Sequence, residues 1–279
     1  MENRYRLLIE TEDKKGLIHK ITGALLKHNL NIEQNNEFVE RQYNRFFMRT
    51  DISGVVDNSI FPELRGLLSA DHNIKLIPST KKRVIIMVTK EHHCLSDLLI
   101  RNRYNELNFE IAAVISNYDD LRSLVESFNI PYHFVSHENL SRTDHETEIM
   151  RSIDNYEFEY IVLAKYMRIL TPKFVEKYTD KVINIHHSFL PAFIGASPYK
   201  QAYDRGVKII GATAHFVNNS LDEGPIIAQS VLNINHTHSA EDMALSGRDV
   251  EKQTLARALR LVFDDRVFIY KNKTIIFES

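Results

Sequence analysis

Asn184, His186, His187 and Ser188 stand at the end of a β-branched run, inside the stretch KVINIHHSFLPAFIGASPY from Lys181 to Tyr199. A primary amide and an imidazole aimed at one point can both donate to a carbonyl oxygen that is gaining negative charge, which is what an oxyanion site requires. Alternate residues of a strand share a face, so Asn184 and His186 point one way if the extension reaches them, and His187 points the other. A plainer job also suits these residues: ending a strand and satisfying loop backbone groups. His187 and Ser188 fit the shaping of a turn better than chemistry. Pro191, Gly195 and Pro198 then mark a long loop.

A second polar focus lies in GATAHFVNNSLDEGPII, where His215 sits in a strand and Asp222 in the loop after it. A carboxylate beside an imidazole can orient it and relay protons with water. The competing reading is an ordinary turn aspartate before Glu223-Gly224-Pro225. His92, His93 and Cys94 invite a metal reading, but three adjacent side chains do not readily face one ion, and no spaced partner pair is evident. We therefore expect no metal, and Cys94 as a small buried residue.

The apolar pattern shows which elements must hold these groups. From Arg83 onward strands alternate with helices, the signature of βαβ units and a mostly parallel sheet. RVIIMVT is a continuous apolar run of the kind a buried parallel strand needs. EIAAVIS, YHFVS, YIVLA and VINI follow, with helices expected near 95–102, 120–128 and 145–154, and another opened by Thr171 as N-cap and Pro172 at N1. VKIIGATAHFV and GPIIAQSVLNI read as longer strands with no helix between them. Ser239 and Asp242 cap a long helix ending near Phe263, and VFIYKNKTIIF is a hairpin around Lys271-Asn272-Lys273. In open sheets of this kind ligands bind beyond the carboxyl ends of the strands, which is where Asn184 and His186 fall.

The first 80 or so residues differ. They read strand, helix, strand, strand, helix, strand, with Leu17, Ile21, Leu25 and Leu26 at helical spacing. That βαββαβ order predicts a ferredoxin-like antiparallel sheet with helices on one face. PSTKKR, Pro78 to Arg83, is the expected linker, dividing residues 1–80 from 83–279.

The totals constrain function. A chain of 279 residues, 43% hydrophobic and with a net charge of −2, offers no bulk electrostatic case for nucleic acid or an anionic membrane. The single cysteine permits no intrachain disulfide, and no apolar run approaches a membrane span, so the sequence predicts a soluble protein of a reducing cytoplasm.

NIHHSFLPAF followed by HFVNNSLDEGPII resembles the catalytic core of the folate-dependent formyltransferase family. The matching positions are Asn184, His186, Ser188, Leu190, Pro191, His215 and Asp222, and Met167, Arg168, Ile169 and Leu170 resemble the family's folate-pocket segment. The resemblance runs from about residue 83 to 279 and implies a Rossmann-like domain. It also implies catalysis by Asn184, His186 and Asp222, with Met167–Leu170 and His215 binding substrate. The segment before it resembles an ACT domain, with Asp13, Gly16, Leu17 and Ile18 at the turn where such domains meet a small effector. That turn also suits a simple strand–helix connection.

Nucleotide-acceptor members of the family carry a glycine-rich phosphate loop after the first strand. Here Thr89–Leu99 reads TKEHHCLSDLL, without a glycine, and His187 replaces the proline usual after the catalytic histidine. Both departures imply the branch of the family that hydrolyses 10-formyltetrahydrofolate to formate and tetrahydrofolate, feeding purine biosynthesis, with folate as substrate and no cofactor. The alternatives are formyl transfer to an unrecognised amine and a non-catalytic folate or amino-acid sensor. The resemblance further implies a homodimer or homotetramer and an amino-acid effector.

Overall fold

The structure is a computed structural model that describes residues 3–192 and 198–278. Gly195 of the proline–glycine loop lies outside the described residues. The chain divides into two compact units: one runs to Thr80 and takes in Phe277, and the other is Lys81–Ile276.

The first unit contains β1 (Arg4–Glu12), α1 (Leu17–Lys27), β2 (Asn31–Glu40), β3 (Arg45–Ser53), α2 (Ile60–Leu67) and β4 (His72–Pro78). Its four strands pair antiparallel in the order β2-β3-β1-β4, the expected ferredoxin-like arrangement. Alternate residues Leu7 and Ile9 of β1, with Phe46 and Met48 of β3, share a core with both helices. The apolar stripe of α1 differs from the reading above. Leu17, Ile21, Ala24 and Leu25 are buried, whereas Leu26 is 77% exposed. Leu26 falls on the side of the helix opposite Leu17, and Ala24 completes the stripe.

The second unit contains β5 (Lys82–Val88), α3 (His93–Arg103), β6 (Phe109–Ser116), α4 (Arg122–Glu126), β7 (Tyr132–Phe134), α5 (Arg142–Ile153), β8 (Tyr160–Leu163) and α6 (Pro172–Lys177). Then come β9 (Val182–His186), α7 (Pro198–Arg205), β10 (Ile209–Phe216), β11 (Ile226–Asn233) and α8 (Ala240–Phe263), and the hairpin β12 (Val267–Tyr270) and β13 (Lys273–Ile276). The seven-stranded sheet has the order β11-β10-β9-β8-β5-β6-β7. β5 to β9 run parallel, and β10 and β11 are antiparallel, which is why no helix was needed between them. Both faces are covered: Val84, Ile86 and Val88 pack in a core with α3 and α8, while Ile85 and Met87 pack with α5 and α6. Thr171 caps α6 by accepting from the Phe174 N–H, and Ser239 and Asp242 form a reciprocal capping box on α8.

Two local expectations change. The basic end of the linker is not solvent-exposed throughout: Lys82 opens β5, is 4% exposed, and pairs with Asp265 at 2.9 Å. The stretch read as a long loop contains α7, which begins at Pro198, where a missing N–H costs an α-helix nothing. Among the described residues no helix is long and apolar enough to cross a membrane.

Candidate active site

The strand order reverses between β5 and β8, so the carboxyl ends of these strands open a crevice there. Thr89, just past β5, donates its hydroxyl to the Lys165 carbonyl, just past β8, at 2.8 Å and ties the two sides together.

Asn184 and His215 are directly opposite in the antiparallel β9–β10 pair, so their side chains emerge on one face. Register alone brings them into contact, with Asn184 Nδ2 3.2 Å from His215 Nε2. His215 Nδ1 donates to the Phe216 carbonyl at 2.8 Å, so a neutral ring leaves Nε2 to accept from the Asn184 amide. Burial pushes the His215 imidazole below its ordinary value and keeps it neutral. The β10–β11 register slips between Ala214 and His215, a bulge of the kind that re-aims side chains beside functional sites.

Asp222 reaches the same point from the β10–β11 loop. Its Oδ2 lies 3.4 Å from His186 Nδ1, and its Oδ1 lies 3.8 Å from His215 Nε2. Two features of the loop aim it. Asp222 itself turns the chain with φ of +57°. A β-carbon on Gly224 would lie 1.8 Å from the Phe216 carbonyl oxygen, so only glycine lets the chain pass this close. Asp222 is thus a turn residue and a partner of His186 at once.

The four polar residues at this point border one cavity of about 310 Å³. Its wall includes Asn184, His186, His215 and Asp222, the whole segment Met167–Leu170, and the loop Val217–Leu221. The structure therefore brings together every residue expected at the catalytic and substrate sites. The effector candidates Asp13, Gly16, Leu17 and Ile18 border a separate concavity in the first unit, with Glu37–Arg41 and Phe46.

Ser188 shapes the turn after β9, its hydroxyl donating to the Ala192 carbonyl at 2.7 Å. His187 stands nearer the site than strand alternation predicted. β9 ends at His186, so strand alternation stops there, and His187 also borders the cavity. Its ring lies 5.2 Å from that of His186 and 6.0 Å from that of Tyr199. Burial, reinforced by the charge of Lys165, lowers its pKa to about 3.

Sequence reasoning missed Lys165, also in the cavity wall. The signal was present: it is a lone charge between the apolar run YIVLA and the segment beginning at Tyr166. His93 and Cys94 do converge with a third group, Glu251, with ligand atoms within 4.8 Å of one another. The donor set is poor for a metal ion. Glu251 is already occupied by His93, Tyr199 and the ammonium of Lys165, and burial pushes the Cys94 thiol far up.

A family model described as formyl transferase matches residues 82–259. The chain is 58% identical to the formyltetrahydrofolate deformylase of Haemophilus influenzae over 97% of its own length and 98% of the relative's. A crystal structure of formyltetrahydrofolate deformylase from Pseudomonas syringae pv. tomato superposes with a TM-score of 0.95 at 41% identity, covering 100% of this chain and 95% of that one. Glycinamide ribonucleotide transformylase 1 from Symbiobacterium toebii matches at a TM-score of 0.69 and 25% identity, covering 75% of this chain and 100% of its own. The chain belongs to the formyl transferase family, and within that family to the formyltetrahydrofolate deformylases.

Proposed function

We propose that this protein hydrolyses 10-formyltetrahydrofolate to formate and tetrahydrofolate. The observation that carries this reading is the meeting of Asn184, His186 and Asp222 in a cavity whose other wall is Met167–Leu170. The pterin docks against Met167–Leu170, and the formyl group lies against the polar end. Asn184 and His186 donate to the carbonyl oxygen as it becomes an oxyanion. Asp222 takes a proton from the attacking water, and its place beside His186 Nδ1 lets that ring hold a proton while it faces the oxygen. The tetrahedral intermediate collapses with cleavage of the C–N10 bond, and N10 receives a proton through Asp222. Amide and imidazole supply the electrostatics, so the protein's own groups suffice without a cofactor or metal.

The first unit is a regulatory and oligomerisation domain of the ACT type, with an amino-acid effector at the Asp13–Ile18 concavity and assembly as a homodimer or homotetramer. The enzyme acts in the cytoplasm, where its formate supports purine synthesis.

The test is 10-formyltetrahydrofolate with purified protein and no amine acceptor. Formate and tetrahydrofolate in equal amounts, lost in His186→Ala, are expected. No formate without an acceptor, but transfer to added glycinamide ribonucleotide, would overturn the reading in favour of a transferase.

A further inference from the structure

Behind the reaction site lies a cluster of buried charge that the chemistry above does not use. Glu251 on α8 is 1% exposed and takes His93 Nε2 at 2.8 Å, Tyr199 Oη at 2.6 Å and Lys165 Nζ at 3.2 Å. Burial opposes its ionisation, but His93, Lys165 and Tyr199 together outweigh it and hold the carboxyl at about 2. Its partners come from α3, from α7 and from the turn after β8.

Stability alone does not account for this arrangement, because well-packed apolar side chains stabilise a core at least as well as a buried ion pair. The backbone is adapted to it as well. Lys165 is 7% exposed and has φ of +66°, in the left-handed region that residues with a β-carbon rarely adopt. A β-carbon on Gly247 would lie 2.0 Å from Tyr199 Oη, so only glycine lets Tyr199 cross α8 to reach Glu251. Toward the surface the cluster continues through Glu91, whose Oε2 is 3.5 Å from His93 Nδ1 and 3.3 Å from Arg248 Nη2.

Lys165 is the member of the pair that borders the cavity, and His187, also in its lining, lies against the ring of Tyr199. The Met167–Leu170 segment and the Val217–Leu221 loop border the same cavity, and bound folate covers them on the proposed reading. Lys165 and His187 are then part of the lining left for a second reactant, and His187 lies directly beside the catalytic His186.

We infer that Lys165 and His187, held by Glu251 and Tyr199, form a wall that selects the acceptor, admitting water to the formyl carbon and excluding amines. The inference rests on the proposed hydrolysis. Water needs only one small polar site, whereas an amine needs room for its substituent. The ion pair cannot swing aside to make that room without leaving a buried charge unpaired. Opening the wall lets an amine nitrogen attack the formyl carbon in place of water. The C–N10 bond breaks, N10 gains a proton, the amine nitrogen loses one, and a formamide forms with tetrahydrofolate.

The readout is product partition, which does not depend on how much of a variant is folded. Full-length protein is given 10-formyltetrahydrofolate with excess glycinamide, and formate and N-formylglycinamide are quantified by mass spectrometry. Wild type is expected to give formate, with formylglycinamide no higher than without enzyme. Lys165→Gly removes the side chain and suits the left-handed backbone; it is expected to raise the formylglycinamide-to-formate ratio at least tenfold. Tyr199→Phe loosens Glu251 and is expected to raise it less. Lys165→Met keeps the bulk but loses the ion pair, and is expected to raise the ratio less than Lys165→Gly. An unchanged ratio in Lys165→Gly overturns the inference, and so does a Lys165→Gly protein that makes neither product. A rise in Lys165→Met equal to that in Lys165→Gly overturns it too. Wild type that makes no formate overturns the hydrolase reading, and this inference with it.

Discussion

Asn184 and His215 face each other across β9 and β10 with 3.2 Å between Nδ2 and Nε2, and that single contact orients both. The Phe216 carbonyl holds the proton of His215 on Nδ1. The lone pair on Nε2 then decides which way the Asn184 amide points. One amide N–H is used on His215, and the other is left for a substrate carbonyl.

His215 thus acts through Asn184. Asn184→Ala is expected to lower kcat by about 100- to 1,000-fold, the usual cost of one oxyanion donor. His215→Phe should cost less, and the double variant no more than Asn184→Ala alone. Steady-state kinetics on the three proteins decide it. Additive losses would mean that His215 acts on the substrate directly.

Asp222→Asn keeps the shape of the loop but removes the base. Turnover is expected to fall by about 100- to 10,000-fold while folate affinity holds. Calorimetric titration with tetrahydrofolate alongside the rate assay separates the two. Equal losses in rate and affinity would take the proton-transfer role away from Asp222.

His187 makes the fold sensitive to acid. Its folded pKa is about 3 against an ordinary 6.5, so the unfolded chain binds more protons between those values. Stability is therefore lost as pH falls from about 6.5 toward 3. His187→Gln removes this contribution, and its melting temperature should fall less than that of wild type between pH 7.5 and pH 5, by roughly a few degrees. Parallel melting profiles would refute the assignment.

The helix face of α1 is testable by a contrast within five residues of chain. Ile21→Ala empties a fully buried site and should cost about 2–5 kcal/mol. Leu26→Ala, on the exposed side, should lie within about 0.5 kcal/mol of wild type. Denaturant unfolding of the two variants gives both numbers.

Much of this protein is written locally. Apolar runs of period two or none specified the strands, Thr171 with Pro172 and Ser239 with Asp242 marked helix starts, and strand alternation alone put Asn184 and His186 on one face. These depend on neighbours in sequence, so spacing is enough to read them. Leu26 and α7 were misread because a helical stripe and a proline-opened helix each have a close local competitor. The rest was decided by tertiary structure. Asn184 meets His215 only because β10 turns back antiparallel in one register, and Asp222 arrives through a loop that Gly224 lets pass. His93, Lys165, Tyr199 and Glu251 are scattered along the chain and meet at one carboxylate. No local pattern encodes such a meeting, because the free energy of a buried charge is set by whatever the whole fold brings within hydrogen-bonding distance of it.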